Sequence, residues 1–128
     1  MQYEYFYGAQ AEQFSFYRIP KALFTEPNFR ELSTDAKVLY GILLDRMSLS
    51  LKNQWLDAQN KVYIIFTVEE IMDALNCANQ KATHLMVELE KQAGLIERKR
   101  QGLGRPNLIY VKNFAATIND KNCEKGDS

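Results

Sequence analysis

At 128 residues with 46% apolar side chains, the chain has the size of one domain, for which about 100 to 200 residues is usual, and can fill one core. Sixteen cations against sixteen anions exclude a global field that would recruit a polyanion, so any nucleic-acid footprint has to come from local asymmetry. No run approaches the roughly 18 consecutive apolar residues of a membrane helix and no signal segment opens the chain, which predicts a cytoplasmic protein with no membrane partner.

The N-terminal stretch YEYFYGAQAEQFSFYRIP spaces Tyr3, Tyr5 and Tyr7 two apart, and Phe14 and Phe16 two apart beyond Gly8. That alternation predicts an additional aromatic β segment, as two strands or a hairpin. It holds more rings than one small core obviously absorbs, so Tyr3, Tyr5, Tyr7, Phe14 and Phe16 are expected to form a homodimer interface. The plainer alternative is that they cap the core of their own chain. After Pro20, KALF and EPNFREL read as short helical turns.

STDAKVLYGILLDRMSLS opens with Ser33 as an N-cap and repeats Ala36, Tyr40, Leu43 and Met47 at spacings of three and four, which predicts an amphipathic helix. NQWLDAQN is a polar turn carrying the lone Trp55, and KVYIIF is β-branched and aromatic, the composition of a buried strand of about five residues. Thr67 and Glu70 then make a capping box, with Phe66 and Ile71 as its hydrophobic staple, so a short helix runs from Val68 to about Leu75. NCAN interrupts it. QKATHLMVELEKQAG resumes helical spacing at Ala82, Leu85, Met86, Leu89 and Ala93 until Gly94 ends the helix.

LIERKR and NLIYVKNF read as strands joined by QGLGRP, whose glycines permit positive φ and whose proline cannot donate to a ladder. The domain is expected to cover residues 1–116, leaving 117–128 as a disordered polar tail or the start of a linker. Cys77 and Cys123 are expected to stay unpaired, and they provide no metal cluster.

The order is helix, strand, helix, short turn, helix, strand, basic glycine loop, strand. This is the order of an α+β winged helix-turn-helix, in which the last hairpin lies beside the recognition helix. The third helix then turns Gln80, Thr83, His84, Val87 and Lys91 away from its apolar side, and Asn79 sits at its start, where base contacts concentrate. Gln80 can bridge adenine N6 and N7, Thr83 and Val87 can offer methyls to thymine, and Lys81 and His84 can reach phosphate or guanine acceptors. Glu88 and Glu90 would repel phosphate, so only the N-terminal half of the helix is expected to enter a groove.

The wing candidates are Arg98, Lys99, Arg100, Gln101, Gly102, Gly104, Arg105 and Asn107. From Glu97 to Lys112 five cations face one acid, a net of +4, which suits phosphate, while the glycines allow close backbone approach. Each feature alone has a bland account: an outward polar helix face is usually solvated, and a charged hairpin can simply block edge pairing. In this order the two point together to double-stranded DNA as partner.

Catalysis has no footing. One histidine, no metal-ligand spacing, no phosphate loop and no nucleophile beside a base predict neither an enzyme nor a cofactor or metal. The glycines of GLG are not followed by a helix, so a dinucleotide fingerprint fails.

The blocks FYRIPKALF, LSTDAKVLYGILLDRMSLSLKNQWLD, VYIIFTVEEIM and GLIERKRQGLGRPNLIYVKNF, in this order over about Phe14 to Phe114, resemble the N-terminal domain of the RepA-type plasmid replication initiators of low-GC Gram-positive bacteria. The resemblance implies a winged-helix protein that binds repeated origin sites and begins plasmid replication. Family members carry a second domain that engages host replication proteins, and no block here resembles it. A transcriptional repressor, or a winged helix used for protein interaction, would share much of this sequence pattern.

Overall fold

A computed structural model describes residues 2–8 and 13–115. Residue 116, the tail 117–128 and Cys123 lie outside the described residues, and Cys77 is a free, half-buried thiol. Among the described residues, four α-helices, a 3-10 turn, a π turn and a two-stranded antiparallel sheet build one α+β unit. No helix of the described residues is long and apolar enough to cross a membrane.

The aromatic N-terminus is not a β segment. Its described residues form no ladder, and its rings meet each other edge-on instead, Phe6 with Phe14 at 5.9 Å and Phe14 with Phe16 at 6.2 Å. Alternating rings specify a strand only where a second strand lies alongside to take the backbone N–H and C=O groups, and none does among the described residues. Residues 18 and 19 then cross the next long helix at Gly41. A Cβ on Gly41 would lie 2.9 Å from Ile19 Cγ1 and 3.1 Å from the Arg18 carbonyl oxygen, so only glycine admits the crossing.

Helix α1, Ala22–Thr25, and a 3-10 turn, Pro27–Phe29, are the expected short turns. Helix α2, Thr34–Lys52, starts where Ser33 Oγ accepts from the Ala36 N–H at 3.2 Å. Ala36, Leu39, Tyr40 and Leu43 bury one face of α2, and Met47 packs at its rim. The Tyr40 hydroxyl donates to the Lys112 carbonyl at 2.7 Å, and burial pushes its pKa up to about 12. Phe114 closes this end of the core, with its ring 5.2 Å from Phe29 and 5.9 Å from Tyr40.

KVYIIF is extended but not a regular strand. Val62 bridges to Leu56, whereas Ile64, two residues on, exchanges two 2.9 Å hydrogen bonds with Ile109, so the segment's pairing is split between two partners. Phe66 then leaves to staple the next helix. Helix α3, Val68–Leu75, carries the complete capping box: the Glu70 N–H donates to Thr67 Oγ1 at 3.2 Å, and the Thr67 N–H to Glu70 Oε1 at 3.0 Å. Asn76 ends it in the left-handed region at φ 51°, a conformation that asparagine tolerates better than most side chains.

After this turn helix α4, Asn79–Val87, begins, and it continues as a π turn over Glu88–Gln92. The sequence predicts an unbroken α-helix here. The backbone widens instead, with the Ala93 N–H donating to the Glu88 carbonyl five residues back at 3.0 Å. Strands β1, Ile96–Lys99, and β2, Leu108–Val111, follow with Ile96 opposite Val111 and Lys99 opposite Leu108. Leu85, Met86 and Leu89 of the α4 and π segments share one core with Leu39 and Leu43 of α2, Ile71 of α3 and Ile96 and Ile109 of the sheet. Each such leucine contributes roughly 2 kcal/mol by leaving water, which is what seats α4 across the other elements.

Candidate nucleic-acid interface

Helix α4 is held on its inner side by Ala82, Leu85 and Met86, all buried, with Leu89 continuing the stripe. Asn79, Gln80, Lys81, Thr83, His84 and Val87 lie on the exposed side, and Lys91 is exposed in the π turn. Some already have partners. Thr83 Oγ1 donates to Asn79 Oδ1 at 3.5 Å, and Lys81 Nζ sits 2.6 Å from an Asp35 carboxylate oxygen, whose hydrogen bond raises the lysine pKa. His84 Nε2 is 4.0 Å from Glu88 Oε1. Gln80 makes no side-chain hydrogen bond or ion pair among the described residues.

The two acids expected to repel phosphate are occupied internally. Glu88 is only 6% exposed, and its carboxylate accepts from both the Ser33 N–H and, at 2.9 Å, the Ser33 hydroxyl. One serine side chain thus caps α2 and ties α4 to it. Glu90 accepts from Arg98 of β1, whose guanidinium approaches to 2.8 Å. Glu90 is therefore partly neutralised by Arg98, and Glu88 is turned inward onto Ser33, so local charge counting overstates their repulsion.

The wing loop joins β1 to β2. Lys99, Arg100, Gln101, Gly102, Gly104, Arg105 and Asn107 are exposed, while Arg98 is half-buried against Glu90. Gly102 at φ 117° and Gly104 at φ 77° take the positive dihedrals expected of them and let the loop turn twice around Leu103. Gln101 Nε2 donates to the Pro106 carbonyl at 2.7 Å and the Arg105 N–H to the Gly102 carbonyl at 3.3 Å, so Gln101 braces the loop. Leu103 stands wholly in solvent at the tip. Sequence reasoning passed over it because an apolar residue between glycines carries no charge signal.

The loop's base meets the helix-turn-helix. A hollow of about 280 Å³ is lined by Thr67 and Val68 of the α3 start, Met86 of α4, and Arg98, Arg105 and Asn107 of the wing. Two links were missed from the sequence, Asp35 with Lys81 and Ser33 with Glu88, since each joins positions 46 to 55 residues apart and no local spacing signals such a pair.

Residues 15–124 match the family model described as replication initiator protein A (RepA) N-terminus. A "41 kDa protein" from Lactobacillus helveticus is 30% identical over 103 residues, which are 80% of this chain and 28% of that protein. The chain thus spans little more than a quarter of the curated relative it matches. Among solved structures, one described as "N-Terminal domain of DNA binding protein" is 36% identical with a TM-score of 0.72, covering 99% of this chain and 98% of its own. "Structure of Rep-DNA complex" is 39% identical with a TM-score of 0.71 over 86% of this chain and 84% of that one. "Structure of MDR initiator" is 40% identical with a TM-score of 0.68 over 86% of each. A capped helix-turn-helix, a glycine-hinged cationic hairpin and a family match over most of the length lead to one conclusion: the chain belongs to the RepA N-terminus family of replication initiators.

Proposed function

We propose that this chain is the duplex-reading module of a plasmid replication initiator, acting in the cytoplasm on repeated sites of a plasmid origin. Helix α4 enters the major groove, where Asn79, Gln80, Thr83, His84 and Val87 meet base edges. Lys81 and Lys91 flank the groove at phosphate. Lys99, Arg100, Arg105 and Asn107 hold the adjoining backbone, with Gly102 and Gly104 allowing the loop to lie close. The observation that carries this reading is the hollow where α3, α4 and the wing base meet, beside a helix face left polar and exposed. The likeness to the chain of a Rep-DNA complex supports it.

Two chains bound side by side would present two such helices, and the aromatic N-terminus supports a homodimer. Tyr3, Tyr5, Tyr7, Phe14 and Phe16 are 50 to 82% exposed, an unusual load of ring surface to leave in water. Host replication proteins would be engaged by further parts of the initiator, for which the longer L. helveticus relative gives room.

The experiment is a footprint on plasmid DNA followed by binding isotherms over a range of salt. Protection of repeats at the origin is the expected result; protection at a promoter favours a repressor, and salt-insensitive or absent duplex binding favours a protein-interaction module. Gln80→Ala should relax base discrimination by about 1 to 3 kcal/mol at one position. Arg105→Gln should weaken all sequences alike and flatten the salt slope by about 0.9. Loss of specificity from both alike would refute this division of labour.

A further inference from the structure

Glu90 is an acid that joins the end of α4 to the first wing strand, and its geometry gives it a task other than repelling a polyanion. Its side chain keeps 19% of its surface and that of Arg98 keeps 25%. Glu90 Oε1 accepts from Arg98 Nε at 3.2 Å and Nη2 at 2.8 Å, while Oε2 accepts from the Arg98 backbone N–H at 3.2 Å. One carboxylate thus grips both the side chain and the main chain of a single residue. A fork with a backbone donor fixes angle as well as distance, which a point-charge pair does not.

The two residues belong to the two parts that must meet one duplex. Glu90 lies in the π turn that extends α4, and Arg98 lies in β1, which leads directly into the wing. The π turn is itself pinned on its other side by Glu88, whose carboxylate holds Ser33 at the head of α2. Arg98 also lines the hollow with Arg105 and Asn107, so the clamp ends at the wing's base.

Resting on the DNA-binding reading above, we infer that Glu90 is a positioning residue: its clamp on Arg98 sets the offset and angle of the wing relative to α4, so that both engage one duplex together. Arg98 serves the clamp and not a phosphate, and the phosphate contacts fall to Lys99, Arg100 and Arg105. Small displacements in such an arrangement cost affinity where both parts must fit, and they cost little where only charge is needed.

The inference predicts a sign opposite to electrostatics. A carboxylate that merely sits near DNA repels it, so Glu90→Gln would tighten binding to every sequence. The test measures fluorescence anisotropy over a range of salt with the 128-residue chain, using a duplex that the wild-type chain selects from a random pool, and poly(dI-dC). The variants are Glu90→Gln, which keeps the shape, and Arg98→Lys, which keeps the charge but loses the fork. Both are expected to bind the selected duplex about tenfold more weakly, the loss typical of a charged hydrogen bond. The preference over poly(dI-dC) should shrink while the salt slope stays that of the wild type. A partly unfolded variant would lose binding to both duplexes by the same factor, so the preference reports positioning and not folding. Glu90→Gln that binds the selected duplex as tightly as the wild type or more so overturns the inference, as does Arg98→Lys with unchanged preference. A wild-type chain that binds no duplex overturns the DNA-binding reading itself, a result separate from either.

Discussion

The Glu90 carboxyl is held below the ordinary carboxylate range, first by the side-chain hydrogen bonds from Arg98 and then by its charge, against opposing desolvation. A carboxyl depressed in the fold stabilises it above the unfolded value of about 4.3, and that contribution is lost as pH falls through the folded value. Glu90→Gln lacks the contribution at every pH. The expected result is a wild-type melting temperature above that of the variant at pH 7, with the gap closing once the pH falls below about 4.3. Thermal melts from pH 7 to pH 3 check it, and a gap that persists unchanged at pH 3 would mean the ionised carboxylate contributes nothing to folding. Asp57 is lowered too, chiefly by the Lys61 N–H, but it is common to both proteins and cancels in the comparison. At this scale the outward side chains of α4 were legible, because 3.6-residue periodicity separates Gln80, Thr83 and Val87 from Ala82, Leu85 and Met86. Their existing partners were not, since Asp35, Ser33 and Arg98 reach α4 and its π turn only through the fold.

Helix α3 is the element most fully written in its own residues. The Thr67 and Glu70 side chains satisfy each other's backbone donors, and Phe66 is buried beside Ile71, so an eight-residue helix starts at a defined place. Thr67→Ala is expected to lower unfolding stability by about 1 kcal/mol, measured by urea denaturation, with no change in the denaturant slope. A change under a few tenths of a kcal/mol would show that tertiary packing alone sets the helix start. The third extended segment and the end of α4 were less legible. KVYIIF has strand composition, yet two partners on different sides leave it with single bridges. The helical spacing after Val87 is regular, yet Glu88 reaches Ser33 and the backbone takes a π turn. Composition and period describe what a segment favours; the number and direction of its neighbours decide how much of it is realised.

At the scale of the whole molecule the ring-rich N-terminus stands out, because only its last residues pack on α2. Its residues from 16 to 19 run along α2 past Gly41, where glycine makes room, while the rings before them remain largely exposed. If those rings pair two chains, light scattering should give a dimer mass for the intact chain and a monomer mass after deletion of residues 1–8. An unchanged dimer would move the interface elsewhere, and a monomeric intact chain would remove it.

The sequence by itself determined where the long helices begin, which face of each is apolar, that a glycine hinge joins two strands near the end, and that cations gather there. These depend on periods, caps and dihedral preferences that act within a few residues. Only the tertiary structure decided that Glu88 and Glu90 are taken up by Ser33 and Arg98, that Lys81 faces Asp35, that Gln101 braces the wing, and that the aromatic start forms no strand. Those outcomes depend on which distant groups the shared core brings within about 3 Å, and hydrogen bonds and ion pairs are that short in range.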